Sequence, residues 1–150
     1  MGSDIRQIIA EIDAITSVDD DEQLKSLDCA MTEYFAHSDA ALHVQVWFRL
    51  FERFPEDDAY EMFWSILHEI ERLPNYEREL VHSMQRRPSR FPVSMVYRRL
   101  NAGLRFVGDA DLMSLLASVA VDETCPTSVR EDAEGYLEYQ RSLSPRKIND

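Results

Sequence analysis

His68, Glu69 and Glu71 come nearer to a reaction centre than any other residues of this sequence. A metalloprotease helix carries His-Glu followed by a second histidine four residues after the first, which puts two imidazoles on one face and a glutamate beside the metal. Position 72 is Arg72, so the pattern fails. His43, His68 and His82 fall on separate expected helices with no ligand spacing around them. The simpler reading makes His68 a packing residue whose ring pairs with Glu71, three residues on. Cys29 and Cys125 are the only cysteines, and they form neither a zinc pattern nor a redox pair. No serine or cysteine stands in a nucleophile elbow or a cysteine-protease signature, and there is no glycine-rich phosphate loop. Carboxylate pairs abound, as 28 Asp and Glu dictate. The residues therefore point away from an enzyme and from any cofactor or metal, and toward binding.

The 150 residues suit one domain with a real core. We expect residues 1–141 to form it and residues 142–150 to be a polar tail. Prolines and apolar spacing divide the chain into eight helices, with starts near residues 4, 21, 39, 57, 75, 91, 110 and 127. Ser3 is the expected cap of the first, Asp19 to Glu22 open the second, and the third runs from Ser38–Asp39 to Phe54. Asp57–Asp58 open the fourth, with Tyr60, Phe63, Leu67 and Ile70 as its apolar stripe. Pro74 and Pro92 open the fifth and sixth, and Gly103 stops the sixth. Asp109 is the expected cap of the seventh, and Ser128 with Glu131 has capping-box spacing in the eighth. The third helix is apolar around so much of its circumference that it belongs in the centre of the core. Starts spaced by 16 to 19 residues give two helices per roughly 36, within the pitch of helical-hairpin repeats. The expected fold is all-α: stacked antiparallel hairpins of a HEAT-like α-α superhelix, right-handed, with an irregular helical bundle as the alternative. No strand pattern of useful length is present.

A net charge of -12 repels nucleic acid and anionic membranes and attracts basic partners; the blander reading is a soluble acidic protein with no basic partner. No apolar run is long enough to span a membrane and no signal-peptide core follows the N-terminus, so the expected location is the cytoplasm. Charge is segregated along the chain. Residues 1–79 hold 19 acids against 6 bases, whereas residues 80–108 hold six arginines and no acid. In a stack of hairpins those arginines either staple acidic neighbours together or form a small patch for an anionic ligand. Glu56, Asp57 and Asp58, with Glu61 and the aromatic Tyr60 and Trp64, read in one of two ways. They cap a helix, or they form an exposed acidic ridge for a basic protein. In alternating hairpins, helix starts two apart share an edge, so Asp19, Asp20 and Asp21 extend that ridge.

The central stretch carries a family likeness. Residues 63–71 (Phe-Trp-Ser-Ile-Leu-His-Glu-Ile-Glu), then Leu73-Pro74-Asn75-Tyr76-Glu77, Arg86-Arg87-Pro88-Ser89 and Arg99-Leu100-Asn101-Ala102-Gly103 resemble bacterial immunity proteins of polymorphic-toxin and contact-dependent inhibition systems. The likeness spans about residues 44–141. It implies a small helical cytoplasmic protein that binds a cognate basic toxin domain, often a nuclease, and neutralises it by stoichiometric occlusion. It implies no catalysis, no nucleic-acid or membrane partner, and a monomer before binding. Trp64, His68, Glu71, Tyr76 and Asn101 belong to the shared motif and are expected to serve the fold. The alternative is a HEAT-like adaptor for an endogenous basic protein.

Overall fold

The computed structural model describes residues 4–143. Among these residues eight α-helices follow one another: α1 Ile5–Asp13, α2 Asp21–Ala36, α3 Gln45–Arg53, α4 Met62–Glu71, α5 Glu77–Arg86, α6 Arg90–Asn101, α7 Leu112–Ala120 and α8 Thr127–Leu143. The fold is all-α. Among the described residues the one departure is a short hairpin, β1 Phe106–Val107 with β2 Ala110–Asp111, which sequence reasoning missed because two residues per strand leave no alternation to read.

Local chemistry sets the boundaries. Asp4 caps α1 by accepting from Arg6 N at 3.1 Å, and the expected cap Ser3 lies outside the described residues. Asp20 caps α2 through Gln23 N at 3.0 Å, within the acidic run expected to open the helix. The third expected helix is interrupted: a 3-10 turn covers Ala40–Leu42 before α3 begins. Asp111, not Asp109, caps α7, accepting from Met113 N at 3.0 Å. Asp109 falls instead in the hairpin turn after Gly108, whose φ of +58° suits glycine. The Ser128 hydroxyl donates to the Glu56 carboxylate rather than closing a capping box. Helix α8 runs two residues past the expected end, through Ser142 and Leu143.

The helices pack in two layers. Helix α1 touches α3 and α3 touches α5, while α2 touches α4, α4 touches α6 and α6 touches α8. Hairpin partners α1 and α2, α5 and α6, and α7 and α8 close the layers on each other. Helices α3 and α4, and α5 and α7, pack less closely than these pairs. Helix α3 is central: Val46, Trp47, Phe48, Leu50 and Phe51 are all buried. Phe51, Phe63 and Phe91 bring α3, α4 and α6 together with ring centroids 5.1–5.6 Å apart, and Trp64 meets Phe91 edge-on at 4.9 Å. Ile5, Ile8, Ile12 and Ile15 bury the α1 stripe.

Arginines tie the helices together. Arg86 makes a two-pronged bond to Glu52 at 2.9 and 2.6 Å, joining α5 to α3, and Ser83 donates to the same carboxylate at 2.7 Å. Arg98 grips Glu71 at 2.8 and 2.9 Å, joining α6 to α4. Arg99 lies 3.6 Å from Glu77 of α5, and Arg105 closes the hairpin on Asp111 at 3.1 and 3.2 Å. Glu52 and Ser83 are buried, so loss of Glu52 strands the Ser83 hydroxyl away from water. Glu52→Ala is expected to cost about 2 kcal/mol of unfolding free energy, after allowance for the half-exposed Arg86. Glu69→Ala, which removes only an exposed pair with Arg72, costs at most about 0.5 kcal/mol. Urea unfolding of both variants checks the difference.

Candidate functional site

Antiparallel hairpins send the loops that enter α2, α4, α6 and α8 to one edge of the stack. The loop into α2 carries Asp19 and Asp20, and Asp21 starts the helix; all three are exposed. The loop into α4 carries Glu56, Asp57, Asp58, Tyr60 and Glu61. These two acidic groups meet. Partial burial, and then the neighbouring charges of Asp19, Asp58 and Glu56, hold the Asp57 carboxyl above the usual carboxylate range. The expected convergence of two helix starts on one edge is therefore present.

The capping reading of residues 56–61 does not hold. Helix α4 begins at Met62, four to five residues later than expected, so Glu61 is not one helical turn beyond the acids. Ala59, Tyr60 and Glu61 take left-handed backbone in succession, with φ of 50°, 53° and 72°. For residues other than glycine this costs about 1–2 kcal/mol each. The turn is held by Tyr60 N donating to Asp58 Oδ1 at 3.2 Å and by Phe63 N donating to Asp58 O at 3.1 Å. Ala59 plugs into the core at 3% exposure, and the turn lifts Tyr60 out to 72%. Tyr60 thus leaves the apolar stripe that periodicity assigned to it; Phe63, Leu67 and Ile70 keep theirs. No glycine or asparagine marks the turn, so sequence alone offered no sign of it.

The acids divide by employment. Asp20 caps α2, Asp58 holds the turn, and Glu56 accepts from Ser128 at the start of α8. Among the described residues, the carboxylates of Asp19, Asp21, Asp57 and Glu61 take part in no hydrogen bond or ion pair. Val121, in the loop into α8, is 77% exposed on this edge, a second apolar contact that sequence reading passed over.

The motif residues sit elsewhere. Glu71, Tyr76 and Asn101 lie at the opposite edge, where α4 and α6 end and α5 begins. Glu71 is held by Arg98, with the His68 ring 3.9 Å away rather than within hydrogen-bond reach. Burial, opposed by Arg99, pushes the Tyr76 hydroxyl up to about 12. Asn101 Oδ1 accepts from Gln140 at 2.6 Å, tying α6 to α8. Trp64 is half-buried between Phe91 and the His68 ring, and it does not reach the acidic ridge as an exposed aromatic. Trp47 is fully buried.

Among the described residues, no group of three or more His, Cys, Asp and Glu is placed to hold a metal ion, and no helix is long and apolar enough to cross a membrane. Burial, and then the hydrogen bond to Asp122, push the Cys125 thiol up to about 11, which leaves it protonated and a poor nucleophile at neutral pH. No family model, curated protein or solved structure matches the chain.

Two measurements test the ridge. Glu61→Gly removes the left-handed penalty at a position that engages no side-chain cap, and is expected to raise stability by about 0.5–1 kcal/mol in urea unfolding. A loss of stability would mean that the turn is not strained. The folded Asp57 carboxyl keeps its proton to a higher pH than the unfolded one. Stability contributed by that proton is present at low pH and falls as pH rises through the window just above the ordinary carboxylate range. Asp57→Asn is expected to flatten that part of a stability-against-pH curve.

Proposed function

We propose that this chain is an immunity protein that binds one toxin domain in the cytoplasm and neutralises it by occupying its basic face. The observation that carries the reading is the edge where Asp19 stands beside Asp57 and a strained turn presents Tyr60. Carboxylates without internal partners keep their full field for a basic surface and speed encounter with it. An exposed tyrosine among them supplies a large, stiff anchor of the kind that dominates binding energy. Strain at the turn fits the same purpose, since it fixes the side chain before binding and lowers the ordering cost. Such a complex needs no turnover: covering the groove that a nuclease uses for RNA or DNA is enough. The likeness of the central stretch to immunity proteins supplies the class of partner. The motif residues Trp64, His68, Glu71, Tyr76 and Asn101 then act through the fold, which they hold together away from the ridge.

The test is calorimetry of the protein against the toxic C-terminal domain encoded beside its gene. We expect one-to-one binding that weakens as salt rises. Reversing Asp19, Asp57 and Glu61 to Lys is expected to weaken it by at least about tenfold with the circular dichroism spectrum unchanged. Tyr60→Ala should weaken it by a similar factor with the salt dependence retained. These reversals leave Asp20, Asp58 and Glu56 in their structural bonds. A HEAT-like adaptor with an endogenous basic partner would use the same ridge. It predicts no toxin gene next door and no rescue of cells expressing the toxin.

A further inference from the structure

We propose that a pocket beside the acidic ridge receives an acidic side chain of the docked partner, with Arg87 as the residue that reads it. The proposal rests on the docking-edge reading above and adds the second half of the partner's charge pattern.

The pocket has a volume of about 590 Å³ and lies among the loops that enter α4, α6 and α8. Its walls include Pro55, Arg87, Ser118, Asp122, Thr124 and Cys125. That volume is within the range of sites that hold a side chain or small ligand. It adjoins the ridge directly: Pro55 precedes Glu56, Arg90 N donates to Pro55 O at 2.8 Å, and Pro126 stands two residues before the Ser128 that bonds Glu56.

Of the six arginines between residues 80 and 108, Arg86, Arg98, Arg99 and Arg105 face carboxylates and Arg90 lies over the Phe91 ring with Asp132 nearby. Arg87 is exposed and, among the described residues, its guanidinium has no hydrogen bond, ion pair or ring contact. In a chain with 28 acids and 16 bases, an arginine beside an acidic ridge that pairs with none of them is available to a ligand. Its planar fork matches a carboxylate.

The rest of the pocket narrows the choice. Asp122 faces the same space and stays anionic, its carboxyl held below the usual range first by the Thr124 hydroxyl and backbone, and then by Cys125. Ser118 donates to Ser114 O and Thr124 to Asp122, so neither hydroxyl proton is free for an anion. Arg86 also lines the pocket but is held by Glu52, and Arg130 acts on Asp122, so Arg87 is the cation left free there. Beside Asp122 and the acidic ridge, the pocket suits a single negative charge tethered to a bound protein. It repels a polyanion. A partner that fits therefore presents a basic patch with an acidic residue at its margin. A partner lacking that residue leaves Arg87 facing its basic surface, which penalises the wrong toxin.

The experiment has two arms on the full chain. In the first, amide chemical shifts are followed while N-acetyl-aspartyl amide is added. We expect saturable shifts at Arg87, Ser118 and Cys125, absent with N-acetyl-asparaginyl amide and weakened at least about fivefold by Arg87→Gln. In the second, Arg87→Glu is expected to weaken calorimetric binding of the toxic domain encoded beside the gene by at least about tenfold. Shifts that are equal with both probes, or equal in Arg87→Gln, overturn the carboxylate pocket. If Arg87→Glu binds like the natural chain while the reversal of Asp19, Asp57 and Glu61 weakens binding, the ridge stands and this assignment falls. If neither variant changes affinity, both readings fall together.

Discussion

One buried carboxylate organises the centre of this molecule. Glu52 stands on the central helix α3, at a position where its charge has little water to face. It is tolerable there only because Ser83 and Arg86 bring three hydrogen bonds to its two oxygens. Those bonds fix the end of α5 against α3, and from that point the chain must turn into α6. The next residue, Arg87, is the helix cap with extended backbone. Both arginines line the pocket, but Arg86 is held by Glu52, while Arg87 has no partner among the described residues. One anchored residue thereby decides where its neighbour's free charge is shown.

The same logic separates the two edges of the stack. At the edge where α4 and α6 end, opposite charges are matched: Glu71 with Arg98, and Glu77 with Arg99. At the other edge they are not. Asp19 and Asp57 oppose each other, and the chain accepts both that repulsion and a left-handed backbone run in one short loop. Arg87, unpaired among the described residues, is not folded onto this edge. Mismatch and backbone strain together in one loop are what a surface held ready for an outside charge looks like.

How much of this was legible beforehand follows from what each feature writes into the sequence. Helices write a 3.6-residue period, so all eight were readable, as were the centrality of α3 and the stacking pitch. The acidic start of α2 and the meeting of the two acidic loops followed from spacing and from the alternation of hairpins. Features set by tertiary contact left no such trace. Glu52 looked like any acid on a helix, because its burial depends on Ser83 and Arg86, about thirty residues away. The left-handed turn at Ala59–Glu61 has ordinary helix-forming residues, and only the fit of Ala59 into the core favours it. The hairpin that displaced the α7 cap from Asp109 to Asp111 is too short to show a period. Tyr60 was misplaced in a buried stripe for the same reason: the period was extended through residues that are not helical.

The bond between Glu56 and Ser128 spans 72 residues. That has a consequence for the order of events during synthesis. At roughly 5–20 residues per second, the acidic loop leaves the ribosome on the order of ten seconds before the start of α8 follows it. Until then the loop lacks one of its ties, and the far wall of the adjoining pocket does not exist. A newborn chain therefore carries its charge early but acquires its shape last, and only a finished copy presents the whole edge.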